Sequence, residues 1–451
     1  MGKFADELTK KLSDSDRFDY AFSEVKDLQV AATNERFQEH KSQIRLLDHR
    51  ASEAGLSEVT SHADMARLLF PHTAYKSYPE AWLMEDRWDR MGKWLDTVST
   101  YRVPVEKVKD ATDIDDWVDK LAAEGFYVSC SSGTTGKSAM LVASQKDMEW
   151  VERETVASFA WGSGLEPEQD RRLFGLAAVA HVPRNQASAR GHRAGYQDPS
   201  KDRFDYPVPP ITVGGLTEMV VMRKKIADGT ASPGEIQRFE KKSAERADAV
   251  EGAVEKTAKA LVDARHDRLQ VSGLWSGLYN VAKAVRELGY SAKDFDPENS
   301  IYVGGGLKGA VLPDDYQQFV YETFNIKPER NFQNYSMQEL HSGMPKCREG
   351  GRYHIPPWVV PLILDKEGEE LLPIDETEEY EGRAAFFDLS IDGRWGGVIS
   401  GDRVFIDFRP CSCGNRGPSI RDNVARYADL QGGDDKIGCA GTVDAYVRGV
   451  A

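Results

Sequence analysis

The spacing of hydrophobic positions divides the chain into zones. Residues 1–122 are charge-rich and read as helical segments, with loop punctuation at Pro71, Pro79 and Pro104. The aromatic run Tyr75, Tyr78, Trp82, Trp88 and Trp94 falls in this zone and reads as helix-packing surface. From 123 the texture changes to short β-like runs and loops, among them 124–128, 140–143 and 173–180. A long Lys-, Glu- and Ala-rich helical stretch follows over 234–265, opened by Ser232-Pro233. Strand 269–273, helix 278–288, strand 301–303 and helix 313–324 then alternate. This alternation predicts a mixed-sheet α/β fold, organised as a helical N-terminal region, 1–122, and an α/β core, 123–451. The chain carries no internal repeat or low-complexity tract.

Composition narrows the function. The length of 451 residues suits two or three domains, or one elaborated α/β domain, and 40% hydrophobic with 29% charged residues supports a sizeable core. A formal charge of −15 disfavours nonspecific binding to nucleic acid or an anionic membrane. No run approaches the roughly eighteen apolar residues of a membrane span, and Met1 to Glu7 lacks the apolar core of a secretory signal, so a cytoplasmic protein is expected. Five cysteines, an odd number, do not suggest a disulfide framework.

The densest chemistry lies at 129–138, Ser-Cys-Ser-Ser-Gly-Thr-Thr-Gly-Lys-Ser. Gly133 and Gly136 let backbone amides approach phosphate oxygens, Ser131, Ser132, Thr134 and Thr135 add hydroxyl donors, and Lys137 adds charge. Gly136-Lys137-Ser138 imitates the end of a P-loop. That motif needs a glycine where Ser131 stands and a helix afterwards, whereas Met140-Leu141-Val142-Ala143 reads as a strand.

Further pieces follow in order: Gly304-Gly305-Gly306 directly after an apolar strand, Asn334-Tyr335-Ser336-Met337-Gln338-Glu339, and Ser400-Gly401-Asp402. With the phosphate loop, their order and spacing resemble the adenylate-forming superfamily of acyl-CoA synthetases, luciferases and peptide-synthetase adenylation domains, over about 125–440. The resemblance implies that family's large N-terminal domain, with mixed sheets flanked by helices. It implies ATP phosphates held by Ser131 to Lys137, adenine flanked by Gly304, Gly305 and Gly306, and ribose gripped by Asp402. Tyr335, Ser336 and Arg426 complete the implied ATP contacts, and Glu339 is the implied Mg²⁺ ligand, with Lys137 and Glu339 catalytic. Ser336 and Gln338 depart from the usual Gly and Thr of the Tyr-Gly-x-Thr-Glu motif. The chemistry implied is attack of a small carboxylic acid on the α-phosphate of ATP, a transfer that depends on positioning and charge neutralisation.

Cys347-x₆-His354 and the later Cys411-x-Cys413-Gly414 supply three thiols and one imidazole, the inventory of a closed structural zinc site stapling 347–413. Unconnected buried cysteines are the other reading. A Cys-x-Cys-Gly segment after the Gly-Asp motif is also similar to phenylacetate-CoA ligases, some of which carry such a zinc. The chain is expected to lack the mobile C-terminal domain of acyl-CoA-forming members. Arg426-Tyr427 and Lys436-Ile437-Gly438-Cys439 resemble the acyl-protein synthetase branch of bacterial bioluminescence, which implies Cys439 as acyl acceptor. A partner protein such as a reductase, coenzyme A, and a non-catalytic nucleotide-binding scaffold stay open as alternatives. The basic stretch 181–193 reads as a solvated loop, with His181 the favoured acid-binding position.

Overall fold

The computed structural model describes residues 2–131, 137–178, 180–305, 307, 310–374, 376–431, 437, 440, 443 and 446. The chain divides into two compact units: 1–132, 138–154 and 336–451 form one, and 133–137 with 155–335 the other.

In the first unit the N-terminal zone is helical, with Phe22–His40, Arg45–Ala54, Trp88–Val98 and Ile114–Ala123 among its helices. Local chemistry sets their ends. The Asp113 carboxylate accepts the Asp116 amide at 2.9 Å, and Gly55, at φ +65°, ends Arg45–Ala54 in the left-handed conformation. Tyr75, Tyr78, Trp88 and Trp94 are buried and are packing surface, while Trp82 is half-buried.

The same unit holds a seven-stranded sheet built on the antiparallel strands Val359–Leu364, Glu379–Asp388 and Gly397–Asp407. All six residues of Val359–Leu364 are buried, which explains an apolar run without alternation; Pro361 is tolerated because this strand lies at the sheet edge. Gly397–Asp407 also pairs with Phe70–Pro71 in parallel, and with Ser419–Ile420 and Ala425–Arg426 antiparallel. A separate hairpin, Tyr127–Cys130 with Met140–Ala143, brackets the phosphate-loop sequence. A strand therefore follows that loop, which is the structural ground for rejecting a P-loop.

The second unit is a four-stranded parallel sheet in the order Arg172–Gly175, Leu269–Gly273, Asn299–Val303, Ile326–Phe332. Leu278, Val281 and Val285 of helix Trp275–Glu287 pack with Val271, Ile301 and Phe324 in its core. Helix Pro233–Asp263 opens with a reciprocal cap, Glu235 amide to Ser232 Oγ and Ser232 amide to Glu235 carboxylate. The stretch read as a solvated loop is instead helix Pro183–Tyr196. Pro183 stands in its first turn, and Ala187, Gly191 and Gly195 give it a small-residue buried face that the concentration of charge obscured.

Gly396 lies just before the long strand, and a Cβ there would sit 2.3 Å from the Asp388 carbonyl oxygen. Backbone cannot yield as a flexible side chain does, so Gly396→Ala is expected to destabilise the fold by about 1–3 kcal/mol, read as a lower thermal midpoint.

Candidate active site and metal cluster

Two clusters form in the first unit. The first surrounds Glu339, which sits in a turn after the Tyr335-Ser336 segment. Glu339 is half-buried, and burial pushes its carboxyl above the ordinary glutamate range, with Asp402 adding to the rise and the charges of Lys76 and Arg394 opposing it. Burial likewise pushes the Lys76 ammonium down, against the pull of Glu339 and with the repulsion of Arg426. Asp402 lies opposite Arg426 across paired strands, their charged groups 3.8 Å apart, and the Asp402 amide donates to Ser400 Oγ at 3.1 Å. The structure thus brings Glu339, Asp402 and Arg426 together, with Lys76 and Arg394 added.

Strand pairing explains the arrival of Lys76. Phe70–Pro71 aligns with Val398–Ile399, and the short helical turn His72–Lys76 follows at once, carrying Lys76 towards Glu339. Neither Lys76 nor Arg394 belongs to a motif. The one signal in the sequence is the placing of each cation beside aromatic residues, Tyr75-Lys76 and Arg394-Trp395. The Glu339 carboxylate is an oxygen donor of the kind a hard cation such as Mg²⁺ takes.

Ser131 closes the mouth of the phosphate-loop hairpin: its amide donates to the Ala139 carbonyl at 3.1 Å, and its Oγ accepts the Ala139 amide at 2.9 Å. Ser336 is exposed. In the second unit Gly304 and Gly305 directly follow strand Asn299–Val303, Gly305 at φ +116° and the Gly304 amide donating to the Gly273 carbonyl at 3.0 Å. Tyr335 lies beyond the end of the adjacent strand, Ile326–Phe332. Exposed His181 lies beyond the end of Arg172–Gly175, its amide bonded to the Ile211 carbonyl. All four stand past the carboxyl ends of parallel strands, where open α/β sheets receive ligands. Lys137 is half-buried in this unit. Ser132, Gly133, Thr134, Thr135, Gly136, Gly306 and Cys439 lie outside the described residues.

The second cluster is Cys347, His354, Cys411 and Cys413, whose ligand atoms all lie within 4.8 Å of one another. Cys347 Sγ and Cys411 Sγ are 3.8 Å apart, and Cys413 Sγ and His354 Nε2 are 3.4 Å apart. Zinc bonds of about 2.3 Å to sulfur and about 2.0–2.1 Å to nitrogen, at the tetrahedral angle, give edges of about 3.8 and 3.6 Å. Two tight turns present the ligands: the Gly351 amide bonds the Cys347 carbonyl, and the Gly414 amide bonds the Cys411 carbonyl with Gly414 at φ +92°. Burial lowers the His354 pKa, but its three cysteine neighbours outweigh this and carry it up to about 11. Burial raises the Cys413 thiol, and His354 with Asn415 overcomes it, to about 6. As thiolates, sulfurs this close would need a positive charge beside them, which a bound cation would supply.

Neither a family model nor a curated protein sequence matches this chain. Among solved structures, it is similar to an open conformation of 2-hydroxyisobutyryl-CoA ligase in complex with 2-HIB-AMP and CoA, at TM-score 0.57 and 13% identity, over 92% of this chain and 74% of that one. The same ligase in its thioesterification state matches at TM-score 0.57 and 14% identity, over 92% and 70% of the two chains. This chain therefore has the fold of that ligase, a mixed α/β fold of the kind the phosphate loop and later motifs led one to expect.

A Cβ on Gly350 would fall 2.3 Å from Cys411 Sγ and 3.1 Å from Cys347 Sγ. Purified protein is expected to carry about one zinc per chain by metal analysis, and Gly350→Ala or Cys413→Ser to carry far less. Wild-type protein prepared without chelator and holding well under one zinc would remove the site.

Proposed function

We propose that this protein activates a carboxylic acid with ATP and passes the acyl group to a thiol. A carboxylate oxygen attacks the α-phosphorus, the bond to the β-phosphate bridging oxygen breaks, and pyrophosphate leaves with acyl-AMP formed. Thiolate sulfur then attacks the acyl carbon, the bond to the phosphate oxygen breaks, and AMP leaves. The observation that carries this reading is the half-buried Glu339 set among Lys76, Arg394, Asp402 and Arg426, in a chain with the fold of an adenylating ligase.

Each residue then has a task. Glu339 holds Mg²⁺, which when bound offsets charge on the leaving pyrophosphate. Asp402 accepts hydrogen bonds from the ribose hydroxyls, and Arg426, 3.8 Å away, orients that carboxylate. Lys137 and the 131–136 segment bind phosphate oxygens, Gly304 to Gly306 with Tyr335 flank the adenine, and His181 lies at the acid. Cys347, His354, Cys411 and Cys413 hold zinc structurally, because a closed four-ligand site leaves no open position. Coenzyme A is one acceptor, supported by its presence in the structurally similar ligase; Cys439, or a partner protein such as a reductase, is the other. Reduced thiols at the zinc site fit a cytoplasmic setting.

Acid-dependent ATP–pyrophosphate exchange, run without coenzyme A over aliphatic and aromatic acids, tests the first half-reaction. Exchange with one class of acid is expected; none with any acid, in protein that still binds ATP, overturns the reading. Glu339→Gln is expected to lower exchange by about 100-fold or more while ATP binding persists. Because burial raises the Glu339 carboxyl in the metal-free protein and Mg²⁺ takes the ionised form, the half-saturating Mg²⁺ for exchange is expected to fall as the pH climbs through and above the ordinary glutamate range. With labelled acid, Cys439→Ala is expected to spare adenylation and abolish protein-bound label if that thiol is the acceptor; label that remains on the variant excludes it.

A further inference from the structure

Glu339 is placed by its main chain, and that main chain is gripped from inside the protein. Arg394, only 1% exposed, donates from both terminal nitrogens to the Glu339 carbonyl at 3.4 and 3.3 Å. One of those nitrogens also lies 3.2 Å from His341 Nε2. A guanidinium can only donate, so His341 Nε2 must present a lone pair and its proton must sit on Nδ1. Nδ1 is 3.1 Å from the Asp147 carboxylate, which accepts that proton. Asp147 and His341 are both buried.

Asp147 is itself held rigidly. It stands in the first turn of helix Gln145–Ser163 as the acidic half of a reciprocal cap: the Ser144 amide donates to its carboxylate at 2.8 Å, and its amide donates to Ser144 Oγ at 3.0 Å. The Asp392 amide donates to the same carboxylate at 2.8 Å. The residues after Glu339 are pinned as firmly. Asp388 accepts the amides of His341 and Ser342 at 2.9 Å each, and the Glu154 carboxylate accepts the Gly343 amide at 3.0 Å. Four buried ionic side chains and one imidazole thus converge on a single five-residue turn.

We propose that Asp147, His341 and Arg394 form a positioning relay that fixes the Glu339 backbone, and with it the direction in which the carboxylate meets the metal and the phosphates. This rests on the role proposed above for Glu339. None of the three touches the reacting atoms. Asp147 sets the imidazole tautomer, the tautomer gives Arg394 its acceptor, and Arg394 holds the carbonyl. A carboxylate behind a histidine tunes a site in this way wherever the ring must face one partner without ambiguity.

The two amide isosteres of histidine separate this relay from simple core packing. Asparagine at 341 keeps a donor where Nδ1–H was and lacks the acceptor at Nε2; glutamine reaches the Nε2 position and restores an acceptor for Arg394. His341→Asn is expected to raise the half-saturating Mg²⁺ for pyrophosphate exchange about tenfold, with the KM for the acid little changed, and His341→Gln to recover most of the loss. Amide hydrogen exchange of peptides covering 337–343, read without metal or substrate, is expected to speed up about tenfold in His341→Asn and to stay near wild type in His341→Gln. Arg394→Lys, which cannot span both partners, is expected to behave as His341→Asn and serves if that variant folds poorly. Equal behaviour of the two 341 variants, in both readouts, overturns the relay. Absent pyrophosphate exchange in the wild type counts against the proposed function alone, because the amide-exchange contrast decides the relay without it.

Discussion

Hydrogen bonding along one strand, Gly397–Asp407, sets where nearly everything in the first unit lies. Its parallel pairing with Phe70–Pro71 carries Lys76 into place, and its antiparallel pairing with Ala425–Arg426 puts Arg426 opposite Asp402. Farther along, Ile406 pairs with Ile420, and Ser419 pairs with His354, so the same ladder leads to the cysteine and histidine cluster. Side chains alternate faces along a strand, so a one-residue slip would turn Asp402 away from Arg426 and Val404 and Ile406 out of the core. Register is thus the quantity that the burial of Val404 and Ile406, either side of half-buried Phe405, protects.

Buried charge is the second organising theme. Arg394, Arg383 and Arg36 are buried, as are Asp147, Asp388 and Glu154. Charges removed from water are tolerated where their hydrogen-bonding capacity is filled. Here it is filled largely by main chain: Arg36 donates to the Leu389 carbonyl, Arg383 to the carbonyls of Lys366 and Ser400, and the carboxylates accept amides. Apart from the Asp147–His341 pair, these interior acids and bases therefore hold main chain more than one another.

The sequence disclosed much of this architecture and little of its supporting chemistry. The apolar run 301–303, the Leu-x-Val-x-Gly stretch 269–273 and the strand after the phosphate loop were legible as strands. Helix 313–324 begins only at Tyr316, and 181–193 is helical and not a loop because the small residues between its charges form a buried face. Segments with a local signature, the Cys-x-Cys-Gly turn and the Tyr-Ser-x-x-Glu stretch, could be singled out as candidates. Lys76, Arg394, His341 and Asp147 could not, because their meaning lies in contacts such as that of Asp147 with His341, 194 positions apart, which only the fold creates.

Asp147 carries a consequence for how this protein can diverge. The same carboxylate begins a nineteen-residue helix and orients a histidine that belongs to another segment of the chain. A residue with one duty can drift when a neighbour compensates, but here a substitution that suits the helix end must also suit the imidazole. Helix initiation and the geometry around Glu339 are inherited together, and change at position 147 can be accepted only in company with change at 144, 341 or 394.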